Sequence, residues 1–321
     1  MMKPVSIACG LLACCLSANA PAQAPYPMKP IHFIIGQSPG GATDVVARLI
    51  GKTVGEQVGH SVVVENRTGA AGSIAATFVV NGAPDGYNLL VVSSSYAINP
   101  SLYKNLPFDP VKDLTPVSLI AEAPFLLVVH PSMPVHSVKD LVALAKAQPG
   151  KLNFASGGNG SSGHLAGELF AYLAGIVIVH VPYKGAGPAL IDVMSGNVHM
   201  TFGSVLSTLG HVKQGRLRAL AVTSAKRARS MPELPTVAEA GVKGYQRTTW
   251  YGILAPAKTP TPILERMSAE TKKAVESRAV SKKILNDGAE AVGSTPAEFK
   301  TFLVAEMKQA AEIVKRTGIK K

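Results

Sequence analysis

Cysteine is missing from nearly the whole chain: the 3 present, Cys9, Cys14 and Cys15, all lie at the extreme N-terminus. Beyond them there is no disulfide, no thiol nucleophile and no thiolate metal site. No later run is apolar for long enough to cross a bilayer. Catalytic signatures are missing too. No His-Glu-x-x-His occurs, and Gly160-Ser161-Ser162-Gly163 lacks the Gly-x-Ser-x-Gly spacing of a nucleophile elbow. An exported hydrolase is therefore the weakest reading, and no catalytic or metal-binding residue is assigned. Acidic residues are scarce, 20 against 32 Lys and Arg, for a net charge of +12. Such a balance suits anionic partners. Nucleic acid is disfavoured, because the basic residues are scattered. The densest run, Lys226-Arg227-Ala228-Arg229, has no interleaved aromatic and reads as solvated surface.

What is present begins with a leader. Lys3 precedes a short apolar run over residues 5–16, followed by Ala18-Asn19-Ala20-Pro21-Ala22-Gln23-Ala24. This reads as a cleaved signal peptide over residues 1–24 and places the mature protein in the periplasm. Leu12-Ala13-Cys14 only loosely matches a lipoprotein cleavage site, since a smaller residue is usual where Leu12 stands. The remaining chain, roughly 300 residues, is long enough for two α/β domains with separate cores.

Short β-branched or apolar runs at residues 31–35, 62–64, 89–92, 125–129, 152–155, 176–181, 198–202 and 217–222 alternate with helical patterns. That alternation predicts mainly parallel sheets flanked by helices on both faces. Helix starts are well marked. Ser137-Val138-Lys139-Asp140 is a capping-box pattern closed by Pro149-Gly150, and Thr295-Pro296-Ala297-Glu298 repeats the device before the last helix.

The loops at the strand ends carry the functional signal. Ile34-Ile35-Gly36-Gln37-Ser38-Pro39-Gly40-Gly41-Ala42-Thr43-Asp44 runs from a strand through a glycine turn into an amphipathic helix. Bare N–H groups at the positive end of a helix dipole there make a seat for an anion. The turn is neither a P-loop nor Gly-x-Gly-x-x-Gly, so a small carboxylate fits better than a nucleotide phosphate. Similar loops follow other strands: residues 65–73, Ser93-Ser94-Ser95-Tyr96, residues 156–164 and Tyr183-Lys184-Gly185-Ala186-Gly187-Pro188. Singly, each is better served by a tight turn with a serine cap. Their recurrence at strand ends, where open α/β sheets bind ligands, predicts one polar cleft.

Several motifs occur in a fixed order: Tyr26-Pro27-Met28-Lys29-Pro30-Ile31, Pro39-Gly40-Gly41-Ala42-Thr43-Asp44, Val62-Val63-Val64-Glu65-Asn66-Arg67, Pro84-Asp85-Gly86-Tyr87, His164-Leu165-Ala166-Gly167-Glu168, Val181-Pro182-Tyr183-Lys184-Gly185, Leu217-Arg218-Ala219-Leu220-Ala221-Val222-Thr223 and Pro235-Thr236-Val237-Ala238-Glu239-Ala240-Gly241. Over the whole mature chain they resemble the Bug family, the extracytoplasmic receptors of tripartite tricarboxylate transporters. The resemblance implies a two-lobed type II periplasmic binding fold, a Venus flytrap. Lobe 1 would comprise residues 25–124 and 252–321, and lobe 2 residues 125–251, with crossings at residues 125–129 and 250–254. It further implies a monomer without cofactor that hands a small organic acid (a di- or tricarboxylate, or an aromatic carboxylate) to membrane subunits of such a transporter. A ligand sensor acting through a membrane sensor protein is the alternative.

Carried over by position, the ligand would meet Gln37, Ser38, Gly40, Gly41, Ala42 and Asp44 on one side. Ser156, Gly157, Ser161, Ser162 and His164 would face them, with Ser93, Ser94, Ser95, Tyr183, Gly203 and Ser204 lining the cleft. Four positions depart from the family pattern. Gln37-Ser38 replaces a proline–aromatic pair, Ala71 replaces a glycine, and Gly203 stands where an acid is frequent. Loss of that acid weakens the case for an amine-bearing ligand. Some of these residues also have plain structural roles open to them. Asp44 suits a helix N-terminus, Arg67 suits bracing its own loop, and His164 with Glu168 forms an i,i+4 pair on a helix. Lys184 either steers anions or merely sits at the rim.

Overall fold

The computed structural model describes residues 26–69 and 72–319. The leader and Ala71 lie outside the described residues. The run at 31–35 forms β1 (Ile31–Ile35), sandwiched between β2 (Val62–Asn66) and β3 (Asn88–Ser93), both parallel to it. Helices α1 (Ala42–Val58), α2 (Ser73–Val80) and α3 (Ser95–Leu102) each follow one of these strands. The chain then enters β4 (Leu114–Val129), whose 16 residues serve two sheet halves. Its first part pairs with β9 (Thr248–Pro256), which also pairs with β3. Its last part, from Phe125, pairs with β7 (Met200–Ser204) and β8 (Arg218–Val222). Beyond β7 the second half continues in parallel through β5 (Asn153–Ser156) to β6 (Val179–Pro182).

The outer strands are thus parallel, as the alternation predicts, and the centre is not. β4 is antiparallel to β7, β8 and β9, because both chain crossings run through the middle of the sheet. The first part of β4 is absent from the sequence-based strands. Pro116 and Pro124 interrupt its apolar pattern, and the register shifts at residues 116–118 and 119–121.

Helices cover both faces. On one, α1, α6 (Ala186–Met194), α7 (Val205–Lys213), α8 (Thr261–Glu276) and α9 (Arg278–Asn286) share a single apolar cluster running under both halves. On the other, α2 and α3 pack against the first half, and α4 (Val138–Ala147) and α5 (Ser162–Ala174) against the second. The last helix, α10 (Pro296–Thr317), serves both. Phe299 and Leu303 belong to the first cluster of that face, and Ala310 and Ile313 to the second. Its start is the predicted capping box: Thr295 Oγ1 accepts from the Glu298 N–H, and Glu298 Oε2 accepts from the Thr295 N–H. Ser137 likewise caps α4, but the reciprocal bond to Asp140 comes from His136, one residue earlier.

Candidate functional site

Between the two sheet halves lies a cleft of about 710 Å³. It forms where strands end and helices begin. The N-cap residues of four helices line it: Gly41 for α1, Ser161 for α5, Gly185 for α6 and Ser204 for α7. Each helix end turns leading N–H groups and the positive pole of its dipole toward the same space, although Ser161 Oγ already accepts from the His164 N–H and Ser38 Oγ from the Gly187 N–H. No carboxylate, imidazole or thiol lines the cleft among the described residues, and its one charged lining residue is Lys184, exposed on the rim. Hydroxyls and glycines make up most of the polar wall, with Phe125, Phe202, Ala189, Leu190 and the ring of Tyr183 as apolar counterparts.

Of the residues expected from sequence, Gln37, Ser38, Gly41, Ala42, Ser93, Ser95, Ser156, Gly157, Ser161, Ser162, Tyr183, Gly203 and Ser204 stand on this wall. Gly40, Asp44, Ser94 and His164 stand behind it, and each has a bracing task. Gly40 takes φ +75° to make the turn, and its N–H donates to Asp44 Oδ2 at 3.1 Å. Asp44 is otherwise held by Arg48, at 2.9 Å, and by Asn66 Nδ2, at 3.1 Å. Burial works to raise its carboxyl, but the bonds from Arg48, Gly40 and Asn66 outweigh it and keep Asp44 ionised below the usual carboxylate range. Its charge is spent on the turn, and the ligand space receives the backbone that Asp44 fixes. Arg67 is likewise engaged, bonded to Glu65 and stacked on Phe78 at 3.6 Å, while its neighbours Thr68 and Gly69 reach the cleft.

The two halves touch across the cleft. Ser94 Oγ lies 2.8 Å from Ser162 Oγ, Tyr103 donates to the Asn159 carbonyl at 3.0 Å, and the Gly187 N–H donates to Ser38 Oγ at 3.4 Å. Glycine is required at this seam. A Cβ at Gly185 would overlap Ser38 Oγ, and one at Gly187 would press on the Pro39 carbonyl at 3.1 Å. Sequence reasoning missed Tyr103, Thr201, Ser207, Thr208, Thr249 and Tyr251, all on the wall. Thr249 and Tyr251 alternate along the crossing strand β9. Ser207 and Thr208 follow the β7 end just as the glycine turn follows β1, and that parallel was the available signal.

Behind the 156–162 loop two imidazoles stack, His164 and His180, with ring centroids 3.8 Å apart. His164 Nδ1 accepts from the Gly160 N–H at 3.2 Å, and His180 Nε2 lies 2.6 Å from Ser156 Oγ. His164 also approaches Glu168, at 3.5 Å, and no third metal-ligating side chain joins them among the described residues. Burial, with the adjacent His164, pushes the His180 imidazole from 6.5 down to about 3. The folded protein then binds fewer protons than the unfolded chain in that window. The corresponding stability is fully present above 6.5 and is lost as the pH falls toward 3. Thermal midpoints should drop between pH 7 and pH 5, and His180→Phe, which keeps a ring in the stack, should flatten that slope. Equal slopes in both proteins would count against a neutral His180.

Two sheet halves sharing a pair of crossing strands, with a ligand-sized cleft between them, define a two-lobed solute-binding protein of the type II periplasmic class. Comparison with known proteins gives the family. Residues 46–319 match TctC, the tripartite tricarboxylate transporter family receptor, and the chain belongs to that family. Protein BugT of Bordetella pertussis is 37% identical over 297 residues, 92% of this chain and 91% of that one. Among solved structures, R. palustris Rpa4515 with adipate is 36% identical with a TM-score of 0.90, the match covering 92% of this chain and 99% of that one. MatC from Rhodopseudomonas palustris with bound malate is 29% identical with a TM-score of 0.86, covering 90% and 100%.

Proposed function

We propose that this receptor captures a small organic carboxylate between its lobes in the periplasm and delivers it to the membrane subunits of a tripartite tricarboxylate transporter. The observation that carries the reading is the convergence of four helix N-caps, Gly41, Ser161, Gly185 and Ser204, on a cleft with no acid on its wall among the described residues. An anion is what such a wall stabilises, and neutral donors suffice because several act together. Adipate in Rpa4515 and malate in MatC support a carboxylate here. In this proposal lobe 1 comprises residues 25–124 and 252–321, lobe 2 residues 125–251, and residues 1–24 are removed on export. The Ala42 and Thr43 N–H groups hold the carboxylate from lobe 1, and Ser161, Ser162 and Gly157 hold it from lobe 2. The protein acts as a monomer whose closed form the membrane partners recognise.

Native mass spectrometry of protein prepared gently from the periplasm tests both parts. A chain cleaved near residues 20–24, carrying one organic acid, is expected. Calorimetry then compares the released acid with its amide. An amide that binds as tightly as the acid would sink the carboxylate seat.

A further inference from the structure

The lobe 2 side of the cleft is a turn that needs holding. Residues 156–161 lead from β5 into α5, and Gly158 and Gly160 both take left-handed angles, φ +115° and +76°. Glycine has little backbone preference of its own there, so the bonds made to the turn decide its shape. Two imidazoles hold it from behind. His164, in the first turn of α5, accepts the Gly160 N–H at Nδ1. His180, on β6, lies against Ser156 Oγ, and that oxygen accepts the Gly158 N–H at 3.1 Å. Neither ring stands on the cleft wall, whereas Ser156, Gly157, Asn159, Ser161 and Ser162 do.

These bonds restrict where the rings can carry protons. Because His164 Nδ1 accepts, the ring hydrogen sits on Nε2, the nitrogen 3.5 Å from Glu168. A second proton has only Nδ1 to occupy, and there it would meet the Gly160 N–H donor to donor. A proton on His180 would set a charge against the face of the other ring, 3.8 Å away. Glu168 is the one acid in contact with the pair among the described residues. The other elements packed on the rings bring no charge: β5 supplies Phe154 and Ser156, and Tyr103, reaching the turn from lobe 1, donates to the Asn159 carbonyl. Burial and the adjacent His164 accordingly hold the His180 imidazole well below its ordinary range.

We propose that His164 and His180 are positioning residues of the lobe 2 seat, an uncharged stacked pair that keeps the 156–161 turn in its binding shape and releases it on taking up a proton. The proposal rests on the receptor reading above and links a proton to it. Solute selects the turn held by neutral rings, so affinity is full above the ordinary imidazole range and falls as the pH drops through and below it.

Calorimetry on the full receptor with adipate and with malate, from pH 8 to pH 5, tests the linkage, and amide spectra of the unliganded protein follow Gly158 and Gly160 over the same range. His164→Asn puts a non-titrating acceptor, Oδ1, where Nδ1 stood, and His164→Leu leaves none. A single linked proton changes affinity by at most about tenfold per pH unit, and the native receptor should weaken by about tenfold or more between pH 7 and pH 5. His164→Asn should keep most of the native affinity at pH 8 and retain only the slope that the acid's own protonation gives. His164→Leu should bind about tenfold more weakly at pH 8, the cost of one lost hydrogen bond, with an unfolding curve that verifies its fold. Its Gly160 amide should show at pH 8 the position that the native signal reaches at pH 5. Parallel pH profiles for the native protein and His164→Asn, or equal affinity of the two variants at pH 8, overturn the role of the pair while the receptor reading stands. Failure of both acids to bind the native protein at any pH counts against the receptor reading, and the spectra then decide the pair: amides indifferent to pH and to His164→Leu overturn it.

Discussion

Replacing Gly41 with valine should abolish ligand binding and leave the protein folded. Gly41 is the N-cap of α1, with φ −71°, a conformation that valine shares. Its N–H is already used, donating to the Ser38 carbonyl at 3.2 Å. What the missing side chain provides is access to the next two N–H groups, those of Ala42 and Thr43, both on the cleft wall. A Cβ at 41 would stand 3.2 Å from the Ser38 carbonyl oxygen, a contact relieved by a shift of a few tenths of an ångström, so the fold survives. The two further methyl groups then cover the mouth of the turn. Loss of two charge-assisted backbone bonds, at about 1.5–3 kcal/mol each, corresponds to roughly a hundredfold to ten-thousandfold in affinity. Titration calorimetry reads the loss, and a melting curve without ligand verifies the fold. Undiminished binding would move the carboxylate away from this turn.

A disulfide across the cleft should convert the receptor into a trap. Ser94 and Ser162 face each other from opposite lobes with their hydroxyls 2.8 Å apart. No cysteine follows Cys15, so in a chain cleaved as proposed the double variant Ser94→Cys, Ser162→Cys has one pairing open to it. Ligand admitted before oxidation should stay bound through gel filtration, and ligand added afterwards should fail to enter. Reductant should restore exchange. The expected change in release rate is several orders of magnitude, because lobe separation becomes conditional on breaking a covalent bond. A crosslinked protein that exchanges ligand freely would mean that the lobes need not part.

Much of this architecture is legible in residues that do one job. The run at 31–35 is apolar but for the half-exposed His32 because β1 is covered on both faces, and its observed limits are those of the run. Thr295 and Glu298 announce α10 because a capping box depends on three-residue spacing alone. Legibility fails where tertiary placement decides. Asp44 and His164 are polar residues beside the glycine loops, and nothing local reveals that their side chains turn inward to brace those loops. Tyr251 is the converse, an ordinary member of a strand until β9 is set side by side with β4. The antiparallel centre escaped for the same reason, since strand direction depends on which segments cross between the lobes.

The last helix bears on how tightly any ligand is held. Anchored near one end by Phe299 and Leu303 and near the other by Ala310 and Ile313, α10 is a stiff rod pinned to both lobes, with Glu306 between the pins accepting from Trp250 Nε1 at 2.9 Å. Two bodies joined only by flexible crossings would tumble about three axes. Bodies that also share a pinned rod are left with a rocking motion about one. Such a rod restricts the relative orientations open to the unliganded protein, which lowers the entropy forfeited on closing around a solute. A smaller ordering cost leaves more of the contact energy in the cleft to appear as affinity, which favours a small acid held by neutral donors.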